Sequence, residues 1–282
     1  MCRLGAALVV LLGISSLVGC TKPSEVSEKR AEANVAHLAK LVDTDVEEVR
    51  RGLPKGAEKM ADLFAGEGDP LPTKARAALK KTRDAVVDLA IAKSTFFLVT
   101  NAAGTILASD LESDGMAGKP LFVAFPGLEK AKAEHVETIG AWDEARGVKK
   151  GDDAQWIAAE PVKKDGAVVG VYATGWSMRR FAHHLEEQLK SDLRHKKLPE
   201  TNEKGLPLVY VFIVRDGVAY AALVTPEVST KAVSELQLGQ KVQGDAVWHG
   251  QLEITNRGFG IAAKRVKSLC EGCVVAVLRS EL

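Results

Sequence analysis

Few residues in this chain have the types and spacing that chemistry needs. Cys270 and Cys273 form a C-x-x-C pair. A redox pair of this kind works at the start of a helix, where the dipole lowers a thiol pKa, but here "VVAVLR" follows, which reads as a strand. The pair therefore falls in a hairpin turn, and in an exported chain a local disulfide closing that turn is the expectation. A zinc site would need two further ligands, and only His249 stands nearby. His183 and Glu187 lie one helical turn apart, as metal ligands would, but with no third ligand a solvated helix face accounts for them. Three of the four Trp residues fall between positions 142 and 176. Trp142, Asp143 and Arg146 share one short segment, Trp156 opens a strand, and Tyr172 and Trp176 stand four apart on another, hence on one face. Aromatic walls with a few polar groups suit a small polar ligand; sheet-core packing is the alternative use of the same residues. No Ser-His-Asp order, nucleophile elbow, phosphate loop or paired-carboxylate motif is present, so no catalysis, metal or cofactor is expected.

The first twenty residues, MCRLGAALVVLLGISSLVGC, carry one basic residue, Arg3, and then an uncharged apolar run from Leu4 to Val18. That is the pattern of a secretory signal segment. Its end, Leu17-Val18-Gly19-Cys20, resembles the lipobox of bacterial lipoproteins. The resemblance implies cleavage before Cys20 and acylation (palmitate-type chains) of Cys20 as the mature N-terminus. An uncleaved membrane anchor is the competing reading, but the run is shorter than the roughly 20 residues a bilayer span needs. Thr21 after the Cys, rather than Asp, implies the outer membrane over the inner one, facing the periplasm, or the cell exterior in a source with one membrane.

Lys+Arg 38 against Asp+Glu 37 leaves no net field for nucleic acid, and no basic run is interleaved with aromatics. Val35, Leu38, Val42, Val46 and Val49 recur three or four apart and predict a helix from about residue 27, stopped by Gly52 and Pro54. A second helix is predicted from about Lys55 to Ala65, and after "GEGDPLP" a third, capped by Thr73 and running to about Lys93. "TFFLVTNAAGTILASD" reads as a hairpin. Residues 121–134 read as helical, and "HVETIGAWDEARG" as a strand plus loop. "AQWIAAEPVKKDGAVVGVYATGWS" is a hairpin turned at Asp165-Gly166. Met178 to about Arg194 form an amphipathic helix, and "KKLPETNEKGLP" is a linker.

The order then repeats: "LVYVFIVRDGVAYAALV" is a hairpin, "PEVSTKAVSELQ" a helix, and "GQLEITNRGFGIAAKRVKSLCEGCVVAVLRS" a strand and another hairpin. "IAAEPVK" (157–163) returns as "IAAKRVK" (261–267). Phe97-Leu98-Val99 aligns with Phe212-Ile213-Val214, and Gly166 with Gly272, which makes the second turn two residues longer.

Hairpin, helical segment and three antiparallel strands is a PAS-like order. Two such units, with the helix from Thr73 running into "FFLVTNAAGTILASD" and the first unit closing on "GAVVGVYATG", resemble the double Cache family of extracellular sensor domains over about residues 73–282. The resemblance implies an α+β fold: N-terminal helices, then two tandem PAS-like units, each an antiparallel sheet with helices on one face. It also implies a small organic ligand in the first unit, between sheet and covering loops. The family's Arg-Trp-Tyr-Asp set for amino acids is not matched at its usual spacing.

The expected organisation is a signal segment (1–19), a tether with N-terminal helices (20–71), a first unit with its helix (72–198) and a second unit (199–282). The function read from it is a lipid-anchored extracytoplasmic sensor, with Trp142, Asp143, Arg146, Trp156, Tyr172 and Trp176 as candidate ligand contacts. Ending on a strand, the chain is expected to signal through a protein partner. The alternative is an envelope scaffolding lipoprotein with filled cores; redox activity through Cys270 and Cys273 ranks below both.

Overall fold

The computed structural model describes residues 23–66, 68–141, 154–195, 197–198 and 206–281. The signal segment, Cys20, Trp142, Asp143 and Arg146 lie outside these residues. The apolar stripe that begins at Ala31 belongs to a single helix, α1 (Pro23–Met60), continued by a short 3-10 turn over Ala61–Phe64. The predicted stop at Gly52 and Pro54 is therefore a correction. Pro54 withholds one backbone donor, a cost of about 3 kcal/mol in an isolated helix, but packing on both sides of it outweighs that. A Cβ on Gly52 would come within 2.6 Å of Leu89, and one on Gly56 within 2.5 Å of Tyr172. The predicted third helix divides into α2 (Pro72–Ala85) and α3 (Val87–Ile91), because Val86 adopts extended backbone (φ −112°, ψ 105°). The N-cap of α2 is Leu71, with Pro72 in the first turn, rather than Thr73.

β1 (Phe96–Thr100) and β2 (Ile106–Ser109) form the first hairpin, and α4 (Leu121–Ala124) with a 3-10 segment, Pro126–Lys132, leads to β3 (Val136–Ala141). β4 (Ala154–Lys164) and β5 (Ala167–Ser177) complete a five-stranded antiparallel sheet of order β2-β1-β5-β4-β3. After α5 (Met178–Arg194), β6 (Leu208–Arg215), β7 (Val218–Ala221), α6 (Glu227–Glu235), α7 (Leu238–Lys241), β8 (Trp248–Ile254), β9 (Arg257–Arg265) and β10 (Val274–Ser280) build a second sheet. Its order, β7-β6-β10-β9-β8, matches the first position by position. Asp165-Gly166 and Asp216-Gly217 both have positive φ, as a tight two-residue hairpin turn requires.

The register confirms the repeat and corrects its alignment. Ala159 pairs with Ala173 and Ala263 with Ala276, so the repeated block is the fourth strand of each sheet. Leu98 faces Ala173, and Phe212 faces Ala276. Leu98, not Phe97, is thus the counterpart of Phe212, and a one-residue slip exchanges the two faces of a strand. Nine residues separate Pro161 from its partner Val171, but eight separate Arg265 from Val274, so the second connection is shorter, not longer.

Each sheet has helical cover on both faces. The inner faces share one core, in which Phe97, Trp156 and Tyr172 of the first sheet and Val211, Ile213 and Val275 of the second meet α1 and α5. The outer face of the first sheet lies under residues 116–131, and that of the second under α6 and α7.

The contact between α1 and β9 is backbone against backbone: a Cβ on Gly260 would come within 2.0 Å of the Glu28 nitrogen. Gly260→Ala should therefore destabilise the protein by about 1–3 kcal/mol in urea denaturation. Gly239→Ala, in α7 with nothing within 4 Å, is the control and should lose nothing. Equal midpoints for the two variants would contradict this packing.

Candidate functional site

The first sheet offers two faces. On the outer one, a lid (residues 110–134) covers Phe96, Leu98, Ile106, Ile157 and Val171 with Met116, Leu121, Phe125 and Leu128, all buried. Polar groups fasten this lid at its base. Asp114 accepts from the Ser109 N–H (2.8 Å) and hydroxyl (2.7 Å) and from Arg76 of α2 (3.0 Å). Burial alone would raise the Asp114 carboxyl; these hydrogen bonds and the Arg76 charge hold it below the usual range. Asp110 accepts from the Phe97 N–H (2.8 Å) and from Arg83 of α2 (3.3 Å). The buried hydrophobic side chains of lid and sheet form one cluster, with Ser109 and Asp114 at its base.

The inner face carries the sequence-predicted aromatics. Trp156 and Trp176 are brought together, stacked at 4.3 Å, and Phe181 of α5 stacks on Trp176 at 4.4 Å. Tyr172 stands further along the same face, stacked on Phe97 at 6.0 Å. The three candidates are thus on one side, but it is the side packed on α1 and α5, opposite the lid. Beyond Phe181 lies His184, whose Nε2 is 3.7 Å from Asp45 Oδ2 on α1.

Asp45 and its neighbour Glu48 were not singled out from sequence, although Asp45 interrupts the apolar stripe between Val42 and Val46. Asp45 is 6% exposed. Burial, then the like charge of Glu48, push its carboxyl up to about 7, against the opposing pull of Lys93. Burial also raises Glu48 and lowers His184. Asp45 Oδ2, Glu48 Oε2, Ser94 Oγ and the indole nitrogens of Trp156 and Trp176 are buried without a hydrogen-bond partner.

The two units are tied through α1 by Arg50. Its guanidinium donates twice to Glu137 of β3 (2.7 and 2.9 Å), once to Glu47 and once to the carbonyl of Ser268. Glu137 and Glu160 in turn hold His135 up to about 9. Ser268 lies on the β9–β10 connection, where Cys270 and Cys273 are disulfide-bonded with Cα atoms 5.1 Å apart. His183 and Glu187 are both solvent-exposed, and among the described residues no three metal-ligating side chains converge.

No family model and no curated protein matches the chain. Solved structures do. A domain of a putative sensory box/GGDEF family protein from Vibrio parahaemolyticus superposes with TM-score 0.58 at 12% identity, covering 92% of this chain and 97% of that one. The ligand-binding domain of Campylobacter jejuni chemoreceptor Tlp3, in complex with L-norvaline, gives 0.51 at 16% identity, covering 93% of each. An extracellular ligand binding receptor from Desulfohalobium retbaense gives 0.52 at 13% identity; 88% of this chain matches, but only 39% of that receptor. The fold is that of double Cache/PAS-like extracellular sensor domains.

The buried acid pair makes stability depend on pH. Because Asp45 has a folded pKa near 7, above its ordinary 3.8, its stabilising contribution is complete below the ordinary value and is lost as pH rises through 7. Asp45→Asn removes that loss. The variant should exceed the parent by about 2–4 kcal/mol at about pH 8 and match it near pH 4. Urea titrations at the two pH values read the difference directly, and a gap independent of pH would refute the assignment.

Proposed function

We propose that this chain is a lipid-anchored extracytoplasmic sensor that takes a small organic molecule under the lid of its first unit and relays its presence to a partner protein. The observation that carries the reading is the lid. It is not a regular layer but a run of short turns, held to α2 by Arg76–Asp114 and Arg83–Asp110. Lifting it would break both pairs and expose Met116, Leu121, Phe125 and Leu128, so an apolar ligand must replace the burial that the cover gives up. The neighbour from Campylobacter jejuni was solved with L-norvaline, and a Pseudomonas aeruginosa amino acid chemoreceptor domain of similar fold with GABA. Beneath this lid the buried hydrophobic side chains of sheet and cover form one cluster, and its charged groups, Asp110 and Asp114, are already engaged by Arg83 and Arg76. The ligand should therefore be mainly apolar where it meets the sheet; Trp142, Asp143 and Arg146 remain candidate contacts on sequence grounds.

Anchoring through Cys20 fits the course of α1. The helix begins three residues later, and its first turns bind the second unit: Glu28 pairs with His249 and accepts from Gln251, and the Ser27 hydroxyl accepts from the Glu281 N–H. Gly56, near its far end, abuts Tyr172 of the first unit. Acylation at Cys20 would hold the second unit toward the membrane and turn the ligand-binding unit outward.

The alternative, a scaffolding lipoprotein, is favoured by the apolar filling of both outer faces. A thermal-shift screen of the full chain without its lipid, against branched and aromatic acids, amines and amino acids, separates the two. Binding to the folded state must raise the melting temperature, by several degrees at about 100-fold saturation. The sensor reading requires a hit that Leu98→Phe, which enlarges a buried side chain under the lid, weakens while its ligand-free melting temperature stays near the parent's; a screen without hits supports the scaffold. For the anchor, the Cys20→Ala form should leave the membrane fraction, and its retention there would exclude acylation as the tether.

A further inference from the structure

The Cys270–Cys273 disulfide spans only three positions of sequence, so it removes little freedom from the unfolded chain. The same turn is also held by backbone hydrogen bonds. The Cys273 N–H donates to the Cys270 carbonyl at 3.1 Å, and the Val266 N–H to the Cys273 carbonyl at 3.0 Å. Breaking the S–S bond should therefore not unfold the chain. The two cysteines differ in their surroundings. Cys273 is fully buried in the core that both units share, whereas Cys270 is half-buried and is followed by exposed Glu271 and Gly272. Arg265 fixes a positive charge beside the turn, donating to the Glu271 carbonyl at 3.4 Å and to the Val242 carbonyl at 2.6 Å, and a neighbouring cation favours thiolate chemistry.

This turn belongs to the joint between the units. Two residues before Cys270, the Ser268 hydroxyl donates to Asp43 of α1 at 2.6 Å, and the Ser268 carbonyl accepts from Arg50 of α1 at 2.8 Å. Arg50 is itself oriented by Glu137 of β3, in the first unit, to which it donates twice. Displacing the connection from α1 must give up both Ser268 contacts.

We propose that Cys270–Cys273 is a reversible redox site, reduced by a dithiol, whose state sets how firmly the second unit holds α1 and, through Arg50, the first unit. A thiolate of the dithiol attacks Cys270 Sγ and forms a mixed disulfide, while the S–S bond breaks and Cys273 leaves as a thiolate that takes up a proton. The second thiolate of the dithiol then displaces Cys270 in the same way. Two electrons and two protons pass to the pair, and the dithiol departs as a disulfide. Two free thiols need more room than two bonded sulfurs. Because Cys273 is enclosed, the Cys270 side of the turn gives way, and Ser268 is carried with it. The oxidised form is thus the tightly joined one, with or without a ligand under the lid. By linkage, whatever loosens the hold of α1 on Ser268 must ease reduction.

The test is the rate at which dithiothreitol releases the two thiols from the folded full chain carrying Cys2→Ser and Cys20→Ala, trapped with N-ethylmaleimide and read by mass. Release without urea, at unchanged circular dichroism, is expected. Ser268→Ala and Glu137→Gln should each speed it about threefold or more, as loss of one partly exposed hydrogen bond predicts. In an Arg50→Gln background, Glu137→Gln should add nothing, because its effect passes through Arg50. Arg76→Gln, which breaks a comparable contact at the lid, is the control and should leave the rate as it is. Thiols that appear only in urea would overturn the proposal, since the disulfide would then be a fixed staple. So would a rate that ignores Glu137→Gln, or one that Arg76→Gln raises equally.

Discussion

The close approach of α1 to both sheets is the constraint on which the rest of the molecule depends. A helix of 38 residues extends about 57 Å, long enough to serve both units, and it is seated wherever a side chain is missing. At Gly260 the helix backbone meets the strand backbone, and at Gly52 and Gly56 the helix itself yields to Leu89 and Tyr172. Through these contacts the inner faces of two sheets, which do not pair with each other, become one core. A displacement of either sheet must therefore move α1 or open that core.

Polar contacts along the same helix are arranged around this packing. Arg50 binds β3 of the first unit and the disulfide-closed connection of the second at once, while the Ser268 hydroxyl donates to Asp43 two turns earlier. Asp45 Oδ2 and Glu48 Oε2 have no hydrogen-bond partner, and Asp45 lies 3.7 Å from His184, beyond the aromatic stack. A helix that gains most of its stability from buried Val and Leu can carry such a liability, because burying one large aliphatic side chain contributes about 1.5–3 kcal/mol. The acid pair is thus a local weakness at the centre of the interface that joins the units.

Much of the topology was legible because turns are local. The Asp-Gly pairs that turn β4 into β5 and β6 into β7 have the positive φ values their sequence implies, and α5 begins where its Ser177 cap receives the Arg180 N–H. What escaped was decided by tertiary contact. Nothing near Pro54 says that α1 continues, since Leu89 and Tyr172, which hold it, are distant in sequence. The faces of β1 and β5 were illegible for another reason. With lid and helix on opposite sides, "FFLVT" is buried at every position, and a strand apolar on both faces carries no alternation to fix its orientation. The same lack of period hid the one-residue error in matching Phe97 to Phe212. It also left open which side Trp156, Tyr172 and Trp176 would face.

Once the register is correct, the two units can be compared residue by residue, and their likeness ends at the sheet. Ile157 and Ile261 both point outward, and Ala158 and Ala262 both point toward α1. The coverings differ. The first outer face has an irregular lid fastened by Asp110 and Asp114, the second two helices, α6 and α7. On the inner side the first unit presents Trp156 and Trp176, and the second presents Cys273 and Leu269 on a connection closed by a disulfide. A duplicated sheet keeps the residues that its own packing requires. The segments outside the strands are where the two units differ, while α1 holds both sheets in place.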